Sequence, residues 1–348
     1  MRPYLALLAI APLLCAQPKL QNAQQQTRDA AGGLDPVIRS ILSAHSMPAW
    51  IAYAVPQVPG EHNMCCWNSN YQGCVLEPQV GTTAFPPNAA PVRLEGASEF
   101  FVFLRVEFKL VEKIRTISTD CSVDAGGLPV YWLTGVKAAQ SATLLETLVS
   151  TADTRVERKL ADSAISAIAL HRDAAADGAL DRMIAPAQPE NIRRQAAFWL
   201  GNARGRHGYE ALARMVKEDP SAAVRERVVF ALAQNKEPAA MTAVVRAAKE
   251  DKSAHVRGQA LSWLAQRGGR QAAEAAIRDS IANDADVEVK KKAVFALTQI
   301  PDGGGVAMLI ELVRGNRNDA VQKQAMFWLG KSKDARAMQF YEQLLATK

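Results

Sequence analysis

Ile192-Arg-Arg-Gln-Ala-Ala-Phe-Trp-Leu-Gly201 decides the fold of this chain, because near-copies open at Val224, Val256, Val289 and Val321, and a worn one at Leu160. Successive copies start 32 or 33 residues apart. Eight positions past each opening residue stand Ile168, Leu200, Leu232, Leu264, Leu297 and Leu329. One register of this length, held from the middle of the chain to its end, is the mark of a stacked repeat array. Inside each copy the apolar residues recur at helical spacing. The copy at Val224 predicts a first helix to Gln234, a polar turn Asn235-Lys-Glu237, and a second helix from Pro238 to Glu250, with proline at the first helical position, where it suits.

Charged residues keep the same register. Asp219, Asp251 and Asp284 precede the apolar anchors by five residues, and Arg193, Arg225, Arg257 and Lys290 directly follow them. An acidic side chain at a helix entrance satisfies free N–H groups and favours the positive end of the helix dipole. Stacked copies then place aspartate and arginine in a ladder between neighbours. This pattern of Asp, Val-Arg, Ala and Ala-Leu-Gly positions resembles the HEAT-like repeats of phycobilisome lyases and many bacterial scaffold proteins. The resemblance covers about 160–345 and, more faintly, 132–156, and it implies an α-solenoid. Departures fall at Gln322, where a basic residue is expected, and at Gln188-Pro189-Glu190, where the aspartate is expected.

Seven residues past each anchor stand Ala167, Trp199, Ala231, Trp263, Ala296 and Trp328, large alternating with small, and Trp132 falls in phase. Such alternation predicts that an indole of one layer fills the space an alanine leaves in the next, with Phe198, Phe230, Phe295 and Phe327 beside it. The other reading is a row of indoles that grips a ligand.

The first sixteen residues run from a basic Met-Arg-Pro through an apolar core, Tyr4 to Leu14, to Cys15-Ala16. That is the order of a secretory signal, here expected to be cleaved after Ala16. Leu14 before Cys15 disfavours a lipoprotein site. No other stretch is apolar for long enough to span a bilayer. Residues 17–33 are Gln-rich and end in Ala-Gly-Gly, and read as a flexible linker. From 34 to 130 the chain reads as a small β-rich domain. A short helix opens at Asp35-Pro36, a strand is expected between Pro48 and Pro56, and another from Phe100 to Leu110 with one buried and one wet face. A return strand from Lys113 to Ser118 completes the set. The turn before that return strand carries no Gly or Asn. With the array assigned to 131–348, the fold class is α+β: a C-terminal α-solenoid of HEAT-like repeats behind a disulfide-stapled β-rich domain.

In an oxidising compartment Cys65, Cys66, Cys74 and Cys121 make two disulfides. Adjacent Cys65 and Cys66 disfavour each other, so Cys121 pairs with one of them and Cys74 with the other. The alternative is an enzyme or a metal- or cofactor-handling protein with its site around His62, Cys65, Cys66, Cys74 and Trp67, although the paired C-x-x-C arms of zinc sites are missing. His45, His171, His207 and His255 show no helical pairing. Hydrolase, metalloprotease and P-loop motifs do not occur. Gly303-Gly304-Gly305 before a helix offers an anion site at most.

Charge is divided unevenly: from Glu190 onward 26 basic residues stand against 18 acidic ones, so the array is +8 while the whole chain is +6. A cationic array favours an acidic partner. The expectation is a periplasmic or secreted, non-catalytic scaffold, without cofactor or metal, that binds a protein partner, not nucleic acid, and associates with the envelope.

Overall fold

The computed structural model describes residues 17–44, 46–60, 64–65, 73–77, 98–149 and 154–346. The expected signal segment, His45, His62, Cys66 and Trp67 lie outside them. The chain divides into two compact units, Met1–Ala176 and Asp177–Lys348.

The first unit is built on a five-stranded sheet. Strand β1 (Lys19–Gln21) and β2 (Gln24–Asp29) precede helix α1 (Leu34–Ala44) and strand β3 (Ala49–Pro56). Then come β4 (Gly73–Val75), β5 (Glu99–Glu107), β6 (Leu110–Ser118), β7 (Ser122–Asp124) and β8 (Pro129–Thr134), followed by α2 (Ala138–Thr147) and α3 (Arg155–Leu170). The large sheet has the order β2-β8-β3-β5-β6, and a small one the order β1-β7-β4.

Both faces of the central strands are covered. Trp50, Ala52, Phe101, Phe103, Val130 and Trp132 point one way and form a core with the small sheet through Cys74, Leu76, Cys121 and Val123. On the opposite face α2 and α3 lie against β3 and β6. The β5 strand is therefore buried continuously from Phe100 to Leu104, and alternation starts only at Arg105, against the expectation of one wet face. Its hairpin to β6 turns on Phe108 and Lys109, both at positive φ (48° and 64°), which is how the chain turns there without Gly or Asn.

Three sequence expectations differ from the structure. Residues 17–33 are not a linker: β2 pairs in parallel with β8 along its whole length. Trp132 is not an outlying member of the repeat alternation but a core residue of β8. The first unit also reaches past residue 130 to Ala176, because α2 and α3 cover its sheet.

In the second unit the helices alternate. Following α4 (Ala174–Met183), the first helices of the repeats are α5 (Glu190–Ala203), α7 (Ala222–Gln234), α9 (Ala254–Arg267), α11 (Val287–Leu297) and α13 (Asp319–Lys331). The second helices are α6 (Gly205–Glu218), α8 (Pro238–Glu250), α10 (Arg270–Asn283), α12 (Val306–Gly315) and α14 (Ala335–Ala346). First helices pack on first helices, α5 on α7, α7 on α9, α9 on α11 and α11 on α13, while α6 packs on α8 and α8 on α10. Each layer thus covers only its neighbours, and the anchors Ile192, Val224, Val256, Val289 and Val321 are all buried. Ser221, Asp286 and Asn318 cap α7, α11 and α13 with side-chain oxygens. Glycine sets the spacing within a repeat: a Cβ on Gly208 would stand 1.9 Å from the Leu200 carbonyl, and one on Gly305 would stand 2.1 Å from that of Leu297.

Candidate functional site

The ladder between repeats is the most ordered polar feature of the second unit. Arg193 of α5 donates to both oxygens of Asp219 (2.9 and 3.2 Å), and Arg225 of α7 to both of Asp251 (2.8 and 2.9 Å). Arg257 of α9 does the same to Asp284 (2.7 and 2.8 Å). The planar guanidinium fork suits a two-pronged bond to a carboxylate. Arg225 and Asp251 are 1% and 9% exposed, so this is an interior ion pair. Each arginine also donates to a carbonyl of the loop before its own helix, Arg225 to Asp219 O and Arg257 to Asp251 O, both at 2.9 Å. Every aspartate also accepts an N–H two residues on, from Ser221, Ser253 or Asp286. Burial penalises the charge of Asp284, but bonds from Arg257 and the Asp286 N–H outweigh it and hold the carboxyl below its ordinary pKa.

The fourth rung is neutral, which the sequence reading missed. Asn316 stands at the aspartate position and keeps the turn through its bond from the Asn318 N–H (2.9 Å), but carries no charge. Lys290, its counterpart, donates instead to Ala282 O at 3.1 Å, and Gln322 to Val313 O at 2.7 Å. The signal was available: Asn316 keeps the register of Asp284, and the loss of charge there accompanies the arginine-to-lysine change at 290.

Aromatic rings run along the first helices. Phe198 stacks on Phe230 with centroids 6.0 Å apart, Phe230 meets Trp263 at 4.9 Å, and Phe295 meets Trp328 at 4.8 Å. The Arg227 guanidinium lies over both Phe198 and Phe230, at 4.5 and 5.0 Å. Trp199, Trp263 and Trp328 are half-buried, while Ala231 and Ala296 are fully enclosed. The indole N–H groups of Trp199 and Trp328 are buried without an acceptor among the described residues.

Among the described residues, concavities open on the second unit. One, of about 450 Å³, lies between α6 and α8, floored by Ala213, Val216, Ala243 and Ala247 and edged by Tyr209, Lys217, Arg246 and Lys252. Another, of about 620 Å³, lies among α12, α13 and α14, with Arg314, Met326, Phe340 and Leu344 in its wall. The glycine run at 303–305 is a close-packed turn: a Cβ on Gly304 would meet Ile300 and Arg270, and one on Gly305 the Leu297 carbonyl.

In the first unit Cys65 is bonded to Cys121, and Cys74 is also in a disulfide. The described residues hold one cluster of metal-ligand type, Cys65, Asp120 and Cys121, and its two sulfurs are spent on each other. His171 is buried. Its Nδ1 donates to the Ala167 carbonyl (2.7 Å), so a neutral ring accepts at Nε2 from the Ser141 hydroxyl (2.8 Å), which in turn accepts from Tyr53 (2.9 Å). Burial pushes the Tyr53 phenol far above its ordinary range, although its bond to Ser141 works the other way. Tyr53, Ser141 and His171 are all 0% exposed, and this chain of hydrogen bonds ties α2 and α3 to β3. His207 faces Asp181 (3.1 Å) and His255 faces Glu226 (3.2 Å).

Residues 176–265 match the HEAT-repeat family. The matched HEAT segment holds α5 to α8 and most of α9, and with them both of the most buried rungs and the α6–α8 concavity. No curated protein matches the chain. Among solved structures it is similar to that in which Kap95p binding induces the switch loops of RanGDP to adopt the GTP-bound conformation (17% identity, TM-score 0.37, covering 55% of this chain and 28% of that one). The chain therefore spans little more than a quarter of that relative. It is also similar to the CpcE–CpcF complex of phycocyanin lyase from Nostoc (18%, TM-score 0.31, covering 54% and 76%). Human deoxyhypusine hydroxylase in complex with glycerol is a third (15%, TM-score 0.25, covering 59% and 90%).

Proposed function

We propose that this protein is a non-catalytic exported scaffold that holds a protein partner on the second-helix surface of its HEAT array. The observation that carries the reading is the concavity between α6 and α8. It is apolar at its floor and charged at its edge, and it stands on repeats fixed to one another by buried ion pairs. A rigid mount with a small-residue floor lets a partner backbone approach closely without first ordering the site. The disulfides support export, since such bonds persist in oxidising compartments. They also weigh against the rival reading, a metal or cofactor site around Cys65, Cys74, His62, Cys66 and Trp67, which needs free thiolates.

Site-specific photo-crosslinking in cells tests the docking face. A crosslinker in place of Thr242, exposed on the groove wall, is expected to capture a protein partner, and one in place of Lys236, in the turn between α7 and α8, is expected to capture none. Adducts formed from position 236 and none from position 242 would overturn the reading. Export predicts that the mature protein begins at Gln17, which N-terminal sequencing reads directly; a retained Met1 in the soluble cytosolic fraction would remove the exported half of the proposal.

A further inference from the structure

Lys217 at the end of α6, Arg246 on α8 and Lys252 in the following loop border the α6–α8 groove, and none has a hydrogen-bond or ion-pair partner among the described residues. All three are exposed. Of the two carboxylates there, Asp251 is turned inward to Arg225, which leaves Glu250 alone against three cations. Some other cations of the second helices are paired within the array: Lys249 meets Asp279 at 3.4 Å, and Arg278 meets Glu311 at 3.2 Å. The groove thus gathers three unpaired cations around a concave, apolar floor.

Building on the docking function proposed above, we infer that this groove selects an acidic peptide segment, one that seats small apolar side chains on Ala213, Ala243 and Ala247 and sets carboxylates against Lys217, Arg246 and Lys252. A phosphodiester chain fits less well. It has little apolar surface to offer the floor, and Tyr209 alone gives a base a ring to stack on, where single-strand binders present several. A membrane surface fits less well too, since a concavity of about 450 Å³ presents no ridge to insert. The charges lie at the edge, where they steer encounter and set salt dependence more than they set a fixed contact energy.

The test uses the full-length protein and a random peptide library displayed on phage, with enriched peptides resynthesised and measured by fluorescence anisotropy. Enriched peptides are expected to be rich in Asp and Glu, to crosslink through position 242, and to weaken steeply with added salt. The double reversal K217E/R246E is expected to weaken them at least tenfold, and K333E, on the turn before α14, to leave them unchanged. Because all of these side chains are exposed and unpaired, the thermal melts of the variants should overlay the parent and separate lost binding from lost folding. Peptides that crosslink at 242 but ignore the double reversal would overturn the charge inference and leave the docking reading standing. A library that yields nothing crosslinking there would sink both. Displacement of an enriched peptide by a single-stranded oligonucleotide or an anionic phospholipid vesicle, at a lower charge concentration than the peptide itself needs, would reassign the groove to a polyanion.

Discussion

At the residue scale the ladder makes the sharpest demands. Replacing Arg225 with Met leaves the Asp251 carboxylate buried and unanswered, which costs about 3–5 kcal/mol. The paired change R225M/D251N removes both charges while Asn keeps the turn bond that Asp251 makes to Ser253, as Asn316 does naturally, so urea unfolding should recover most of that loss. An equal loss in both variants would show that the arginine acts by packing alone. The third rung adds a pH dependence. Asp284 has a lowered pKa when folded, so its share of stability is fully present above the unfolded carboxylate pKa of about 3.9 and disappears as pH falls through the lower folded value. The difference in unfolding free energy between the parent and D284N should be level above that range and shrink below it. The Asp and Arg positions were legible in the chain because they recur at repeat spacing. The Tyr53, Ser141 and His171 chain was not, since its members are 30 or more residues apart in no pattern and meet only when α2 and α3 close over β3.

At the scale of elements, legibility followed burial. The expected helix from Pro238 to Glu250 is α8 residue for residue, because its apolar stripe and its proline are written into the sequence. Strand β2 escaped because every one of its residues, Gln24 to Asp29, is exposed: it is held by backbone bonds to β8, and no side chain records that. The hairpin turn at Phe108 and Lys109 escaped for a related reason, as its residues are poor choices for their backbone. The double change F108N/K109G puts the preferred pair at that turn, and since Phe108 is 70% exposed little burial is given up. A gain of about 1 kcal/mol in the first unit is expected, read as a raised thermal midpoint; an unchanged or lowered midpoint would mean the Phe108 ring is held by contacts that matter.

For the molecule as a whole, the architecture was readable as a repeat period, whereas the extent of the first unit was not. Helices α2 and α3 carry helical patterns like those downstream, and only their packing on the sheet assigns them to the first unit. The charge imbalance visible along the chain became meaningful once positions were known: Lys249 and Arg278 are paired with acidic side chains of the next repeat, whereas Lys217, Arg246 and Lys252 line one concavity without an ion pair among the described residues. The neutral fourth rung has a last consequence. The buried Asp–Arg ladder stops at Asp284, and beyond it the loop at Asn316 to Asn318 holds Arg317 in easy reach of trypsin, with Arg314 exposed just before it. Brief digestion should nick there first, and mass spectrometry should find a long amino-terminal fragment ending at Arg314 or Arg317. Such a molecule carries its own breaking point, and a cut there would leave the α6–α8 concavity and all three charged rungs together in the amino-terminal fragment.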